Sequence, residues 1–274
     1  MPTRLTVTGR AALTEHLVRV TFEGDLAGFA ESTDTDRYVK LIFAPAGTEL
    51  EEGFDLRQMM ATLPPEQVPT VRTYTVRELD VAAGTLAIDF VVHGDEGVAG
   101  PWAASVEAGT VLWVNGPGGA YAPDPAADAH LIVGDESALP AVAAAVAELP
   151  ADARGHVIVE VAGPGDELDL PVPDGVTLRW LHRGASSHET DLVGERSPMV
   201  EAVRALEADG WPEGRVQTFV HGEGDAVMHQ IRPLLKRNGV ARGDLSVSAY
   251  WRRGRTEEGF RVWKQELAKA EGGA

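Results

Sequence analysis

The stretch Val71-Arg72-Thr73-Tyr74-Thr75-Val76-Arg77 follows Pro69, and a proline just upstream favours an extended chain over a helix. Side chains of a strand alternate between its two faces, so Arg72, Tyr74 and Val76 are predicted to share one face. A guanidinium offers a fork of donors that suits a pyrophosphate, and a phenol ring offers a flat surface beside another ring. The stretch therefore predicts a strand that holds a nucleotide with a flat ring system.

Short apolar runs, broken by Gly, Pro and Asp, surround this strand in the first 120 residues. Six such runs predict a small antiparallel barrel with strands at 5–7, 17–22, 37–43, 70–77, 85–93 and 110–115. The acidic stretch 47–69 between them predicts a loop or a short helix. The first domain is therefore expected to be a β barrel over residues 1–124.

The pattern changes after Pro123-Asp124-Pro125, where a domain boundary is expected. Strands are predicted at 130–133, 156–161, 177–181, 217–220 and 246–250, and helices at 138–148, 198–208, 225–237 and 256–269. Alternation of strands and helices predicts a parallel sheet with helices on its faces. The second domain, residues 125–274, is thus expected to be an α/β nucleotide-binding domain.

Composition restricts the possible functions. The chain has 274 residues, 44% of them hydrophobic, without an apolar run long enough to span a membrane or an apolar signal core, so a cytoplasmic protein without membrane contact is expected. It has no Cys, which excludes disulfides and cysteine-held metal clusters, so redox chemistry would need an organic cofactor. A net charge of -18 argues against a nucleic-acid partner. We expect a monomer.

Further motifs follow the Arg-x-Tyr-Thr-Val strand in a fixed order. They are IDFVVHG at 88–94, GVAGPWA at 97–103, VNGPGGAY at 114–121, VGDESALPA at 133–141 and SAYWRRG at 248–254. Together they span nearly the whole chain and resemble the siderophore-interacting protein family, the flavin-dependent ferric-siderophore reductases of the ferredoxin-NADP reductase superfamily. The chain departs from the family pattern at Val98, at Gly100, where a hydroxyl residue is usual, and at Gly118, where a basic residue is common. A backbone amide at Gly100 would have to replace the missing hydroxyl.

The resemblance implies bound FAD. The residues that it assigns to FAD are Arg72, Thr73, Tyr74, Thr75, Asp89, Val91, His93, Gly97, Ala99, Gly100, Trp102, Ala103, Tyr250 and Trp251. In the family the segment with the last two returns from the second domain to the flavin. Three plainer interpretations stay open: an ordinary glycine loop at 97–100, a structural His93, and core aromatics at 250–251.

The stretch 130–137 runs from a buried strand into a helix. A helix start after a glycine turn presents free amides and a positive dipole end to an anion. This predicts a nicotinamide dinucleotide at Gly134, Asp135, Glu136, Ser137 and Ala138, although a helix cap made by Asp135 or Ser137 explains the same residues. The Gly-x-Gly-x-x-Gly fingerprint is absent, and NADH, NADPH and ferredoxin all remain possible donors.

Two basic residues are predicted to hold the substrate. Family members bind an anionic ferric siderophore through basic side chains near the flavin, which points to Lys40 and Arg252, with Arg253 as the nearest competitor and a strand-edge role as the alternative for Lys40. The eight His show no compact metal-ligand spacing. The expected activity is reduction of ferric siderophores by the flavin, without a catalytic side chain. Another flavin reductase and a non-enzymatic siderophore carrier are the alternatives.

Overall fold

The computed structural model of the chain describes residues 2–94, 97–187 and 190–272. It forms two units, Met1–Ala122 with Ala143–Glu148, and Pro123–Val142 with Leu149–Ala274. The first division falls two residues before the boundary that the sequence predicts. Within the described ranges, no helix combines the length and the apolar character that crossing a bilayer requires.

Six antiparallel strands of the first unit close into a barrel in the order β1-β2-β5-β4-β3-β6. Their bounds are β1 (Thr3–Ala12), β2 (Leu17–Gly24), β3 (Tyr38–Phe43), β4 (Thr70–Asp80), β5 (Thr85–Val91) and β6 (Val111–Gly118). Alternate apolar side chains such as Leu5, Val20, Leu41 and Ile88 are fully buried in one core. The predicted six-stranded barrel is confirmed.

Two short helices belong to this unit, α1 (Leu56–Thr62) and α2 (Ala99–Ser105). Asp55 begins α1, because its carboxylate accepts hydrogen bonds from the amides of Arg57 and Gln58. The sequence pattern predicts no helix here and leaves an ordinary glycine loop at 97–100 as the plainer alternative to flavin binding, but the chain turns into α2 at Ala99. That helix packs on the barrel core through apolar side chains, which compensates for the lack of a side-chain cap at its start.

Five parallel strands form the sheet of the second unit in the order β11-β10-β7-β8-β9. Their bounds are β7 (Ala129–Asp135), β8 (Arg154–Val161), β9 (Gly175–His182), β10 (Val216–Glu223) and β11 (Leu245–Trp251). The helices that follow in this part of the chain are α3 (Leu139–Ala147), whose residues from Ala143 onward are grouped with the first unit, α4 (Pro198–Asp209), α5 (Arg232–Arg237) and α6 (Glu257–Gly272). The predicted parallel-sheet domain is confirmed.

The helix predicted at 225–237 is divided. A π-helical stretch, Ala226–Ile231, precedes α5, and Pro233 lies in the first turn of α5. Proline has no amide hydrogen and its ring collides with the carbonyl group four residues earlier, so the regular ladder is interrupted there.

The strand order of the second unit reverses between β7 and β10. The chain proceeds from β7 outward to β8 and β9, then returns to the other side of β7 for β10 and β11. In open parallel sheets, ligands bind outside the carboxyl ends of the strands at such a reversal. The ends of β7 and β10, at Asp135 and Glu223, are therefore where a ligand site is expected from topology.

Candidate functional site

The Arg-x-Tyr-Thr strand is β4, and one of its faces points into the barrel while the other points outward. Arg72 lies opposite Leu41 and Tyr74 lies opposite Val39 on β3. Directly opposed residues of an antiparallel pair point to the same side, and both partners on β3 are fully buried. Arg72 and Tyr74 therefore share a face, as predicted, and it is the inner face of the barrel. The Tyr74 ring lies 4.5 Å from the ring of Phe90, between centroids.

Arg72 remains half-buried, and its Nη1 donates to the carbonyl oxygen of Val71 at 2.9 Å. The outer face of β4 carries the exposed Thr73 and the buried Thr75. Thr73 lies opposite Lys40 of β3, and Lys40 itself is exposed. Lys40 therefore shares the outer face with the threonines and lies on the opposite side of the sheet from Arg72 and Tyr74.

The end of β5 and the start of α2 lie against each other. A Cβ atom at Gly100 would lie 3.2 Å from the carbonyl oxygen of Val91, so glycine permits this close approach. Gly97 has a φ of 81°, a conformation that glycine adopts without strain. Ala99 and Ala103 are buried in the core, so their side chains serve packing.

Trp102 projects from α2 into the aromatic part of the barrel core. Its ring centroid lies 5.7 Å from that of Phe90 and 5.4 Å from that of Phe43. Phe90 thus contacts both Trp102 and Tyr74, which joins β4, β5 and α2 through one aromatic cluster. The structure brings the Arg-x-Tyr-Thr motif and the Gly-Pro-Trp motif onto the same part of the barrel.

Asp89 is held by a partner that its sequence motif does not reveal. Its side chain is 0% exposed, and Arg19 donates to it through Nε at 2.6 Å and Nη2 at 2.9 Å. Arg19 also pairs with Glu78. A bidentate pair of this kind commits the carboxylate to β2, so a direct bond from Asp89 to a cofactor would compete with Arg19. Val91 and His93, both half-buried, lie at and just after the end of β5.

Arg77 is a residue that the sequence analysis did not assign. It ends the quoted stretch on β4, is half-buried, and its Nε has no hydrogen-bond partner among the described residues. Burial lowers the pKa of its guanidinium, and the nearby Arg19 acts in the same direction. A partly buried cation with an unused donor is a candidate contact for an anion. Its position five residues after Arg72 is the signal that could have identified it.

Gly118, where the family often has a basic residue, lies beneath the ring of Tyr38. A Cβ atom at Gly118 would lie 2.5 Å from Cζ of Tyr38. A larger residue at position 118 would therefore require the exposed Tyr38 ring to move. Lys40, two residues along β3, lies opposite Asn115 of β6. Lys40 is thus an exposed cation on this surface.

In the second unit, the turn after β7 is closed by its own carboxylate. Asp135 Oδ1 accepts from the amide of Ser137 at 2.9 Å, and Oδ2 accepts from the amide of Glu223 at 2.8 Å. Gly134 is buried, and a Cβ there would lie 2.9 Å from Cβ of Ala138 and 3.0 Å from Cγ2 of Val142. Gly134 and Ala138 therefore serve strand-to-helix packing, and only backbone atoms of this pair are available to a ligand.

Asp135 also joins the turn to the last strand. Trp251 donates from Nε1 to Asp135 Oδ2 at 2.7 Å, so one carboxylate connects the ends of β7, β10 and β11. Burial, followed by the charge of Glu136, raises the pKa of Asp135 to about 7. The neighbouring Tyr250 ring lies 4.9 Å from the His221 ring at an angle of 83°. The part of Trp251 and Tyr250 in flavin binding remains a prediction.

Glu136 is paired with a buried arginine. Arg183, with a side chain 1% exposed, donates to both carboxylate oxygens of Glu136 at 2.6 and 2.8 Å and to Glu160 at 3.0 Å. Glu160 in turn accepts from Ser197 Oγ at 2.6 Å, at the start of α4. Burial raises the pKa of Glu160, and these donors oppose that rise. The network connects the ends of β7, β8 and β9.

Arg252 is engaged within its own unit. Its Nη1 lies 3.5 Å from Asp225 Oδ1 and 3.9 Å from Glu223 Oε1, and its guanidinium lies 4.8 Å from the centre of the Trp263 ring. Arg253 donates from Nη1 to the carbonyl oxygen of Ser187. Both arginines after β11 therefore have partners before any substrate is considered.

Comparison with known proteins agrees with this architecture. The siderophore-interacting FAD-binding domain matches residues 6–121, and the siderophore-interacting protein domain matches residues 127–254. An uncharacterised protein of Mycobacterium tuberculosis is 48% identical over 270 residues, covering 95% of this chain and 94% of that protein. The ferric vibriobactin reductase ViuB of Vibrio cholerae is 32% identical over 254 residues, covering 90% and 88%. The crystal structure of the siderophore-interacting protein SipS from Aeromonas hydrophila superposes with a TM-score of 0.78 at 32% identity, covering 98% of each chain. The chain therefore belongs to the siderophore-interacting protein family, as its motifs predict.

Proposed function

We propose that this protein is an FAD-dependent reductase of ferric siderophores that takes its electrons from NAD(P)H. The observation that carries the proposal is that Arg72 and Tyr74 share one face of a strand in a matched FAD-binding domain. The 32% identical relative that is named a ferric vibriobactin reductase supports the same reaction class.

The residues of the first unit fit a dinucleotide with a flavin ring. Arg72 offers a guanidinium fork and Arg77 an unpartnered buried Nε, and both suit phosphate oxygens. Tyr74 supports the ring region from within the aromatic cluster, and the backbone at Gly97 and Gly100 has no side chain to obstruct a ligand. Bound FAD would supply the conversion of a two-electron hydride into single electrons.

The second unit is proposed to hold the nicotinamide donor at the reversal between β7 and β10. Because Gly134, Asp135 and Ala138 are buried, Glu136 and Ser137 are the predicted turn residues with exposed side-chain atoms. The amide of Ser137 already binds Asp135, so the turn keeps its shape without a ligand. In this proposal, the sheet edge at the ends of β7 and β10 positions the nicotinamide donor.

Lys40 is proposed as the first contact for an anionic ferric chelate, because it is exposed on the outer face of β3 directly opposite Thr73, which is among the residues assigned to FAD. Arg252 lies 3.5 Å from Asp225 and 3.9 Å from Glu223, so a chelate bound there would compete with these two carboxylates for its charge. In the overall reaction NAD(P)H and two Fe(III) give NAD(P)⁺, a proton and two Fe(II). Hard oxygen ligands hold Fe(II) less tightly, so the metal is released, and no side chain has to act as acid or base.

The test begins with the visible spectrum of the purified protein, which should show bound flavin. Anaerobic NADH or NADPH should bleach it, and added ferric siderophore should restore the colour while a ferrous-specific chelator traps Fe(II). A colourless protein that binds ferric siderophore would instead indicate the non-enzymatic carrier. A flavoprotein that reduces quinones or free flavin but no ferric chelate would indicate another flavin reductase.

A further inference from the structure

The loops after β8 and β9 form one continuous edge. The amide of Arg183 donates to the carbonyl oxygen of Val161 at 3.0 Å, and the amide of Gly184 donates to that of Ala162 at 2.9 Å. This edge lies beside the turn after β7, since Asp135 and Glu160 are direct partners on neighbouring strands. In doubly wound sheets, an acidic residue that follows the second strand binds the adenosine ribose of NAD, whereas an arginine there accommodates the 2′-phosphate of NADP.

Glu167 is an exposed carboxylate in that location. It follows the 3₁₀ turn Pro164–Asp166 after β8, and its side chain is 37% exposed. Its Oε1 lies 2.7 Å from Nε2 of His182, the last residue of β9, which fixes the carboxylate at the edge. Glu160 cannot take this part, because it is buried beneath Arg183 and Ser197.

The two basic residues at the end of β9 are already committed to other groups. Arg183 is buried between Glu136 and Glu160, and His182 contacts Glu167. Farther along the edge, Arg252 pairs with two carboxylates and Arg253 with a carbonyl group. A 2′-phosphate bound here would add negative charge to an edge that already carries Glu136, Glu160 and Glu167, and salt screens repulsion only incompletely within about 10 Å.

We infer that this edge selects NADH over NADPH, with Glu167 as the acceptor for the ribose hydroxyl and as the group that repels a 2′-phosphate. The inference rests on the proposed function, because it concerns the donor of that same reductase. It names a specificity-determining residue outside the turn after β7.

Calorimetric titration of the oxidised, FAD-loaded protein with NAD⁺ and with NADP⁺ tests the inference without turnover. NAD⁺ should bind at least about tenfold more tightly than NADP⁺. Glu167→Gln should weaken NAD⁺ binding about tenfold, since a charge-assisted hydrogen bond is lost, and should leave NADP⁺ binding unchanged or improved. At dinucleotide concentrations below saturation, the rates of anaerobic flavin reduction by NADH and by NADPH should change by the same factors as the two affinities.

Glu213→Gln is the matched control. Glu213 is also exposed, but it precedes β10 at the opposite end of the strands, so its removal should leave both affinities unchanged. Equal or tighter binding of NADP⁺ by the native protein, or an unchanged preference in Glu167→Gln, would overturn the inference alone. If neither dinucleotide binds while the photoreduced protein still reduces ferric siderophore, the NAD(P)H part of the proposed function fails, and the inference fails with it. If NADH reduces the flavin but no ferric chelate reoxidises it, the proposed substrate fails and the preference stands.

Discussion

Gly134→Ala tests whether the glycine of the turn after β7 serves packing or ligand approach. The new Cβ would lie 2.9 Å from Cβ of Ala138, 3.0 Å from Cγ2 of Val142 and 3.4 Å from the carbonyl oxygen of His221. The first distance is shorter than real Cβ contacts allow, so the start of α3 must move away from β7. Overpacking of this kind costs about 1–3 kcal/mol of unfolding free energy.

For a protein of this size, such a loss corresponds to a decrease in Tm of about 2–12 °C. Differential scanning calorimetry of the FAD-loaded protein measures it, and Gly163→Ala provides the matched control. Gly163 lies in the same unit with extended backbone, and a Cβ there would meet no atom within 4 Å. The control variant should therefore melt at or near the parental temperature.

The opposite outcome has a distinct signature. If Gly134 exists to let a phosphate approach, Gly134→Ala should retain the parental Tm and bound FAD while NAD(P)H-driven flavin reduction becomes much slower. That result would refute the packing explanation, and it would return Gly134 to the role that the sequence pattern suggested.

Three further predictions concern the other groups. Arg72→Ala should lose a charge-assisted contact of about 1.5–3 kcal/mol and release FAD on dialysis, so full retention of yellow flavin contradicts the assignment. The pKa of Asp135 is raised from 3.8 to about 7, so the folded state holds its proton more tightly than the unfolded state does. The unfolding free energy should therefore decrease as the pH rises from about 4 to about 7, by up to about 4 kcal/mol. Chemical denaturation should show a flatter plot of unfolding free energy against pH for Asp135→Asn, and an equally steep plot would contradict the assignment. Lys40→Gln should raise KM for anionic ferric siderophores and weaken its salt dependence, while flavin reduction by NAD(P)H is unaffected; an unchanged KM and salt slope would place the substrate elsewhere.

Local sequence patterns were sufficient for the architecture. The apolar runs broken by Gly and Pro identified all six barrel strands, and the alternation of strands and helices identified the parallel sheet. Helix α2 was missed because its first turn contains Gly100 and Pro101 and its start has no capping side chain. Its stability comes from burial of Ala99, Trp102 and Ala103 against the barrel, which is a tertiary effect.

The site was less predictable, because its side chains are committed to partners that are distant in sequence. Asp89 is held by Arg19, which lies 70 residues away, and Trp251 donates to Asp135, which lies 116 residues away. The face of Lys40 depends on the register between β3 and β4, which a single strand does not specify. The spacing of residues within one motif does not reveal these long-range contacts or the register between the two strands.

These partners give the two units different requirements for a ligand. In the second unit, Asp135 ties together the ends of three strands, and Arg183 pairs with Glu136 and Glu160 through its two terminal nitrogens, while its Nε has no hydrogen-bond partner among the described residues. In the first unit, Arg77 is a partly buried cation whose Nε lacks a partner among the described residues. An unsatisfied buried donor costs free energy that an anionic cofactor would recover. An anion bound at Arg77 would therefore stabilise the first unit, whereas the terminal nitrogens of Arg183 in the second unit are already neutralised by Glu136 and Glu160.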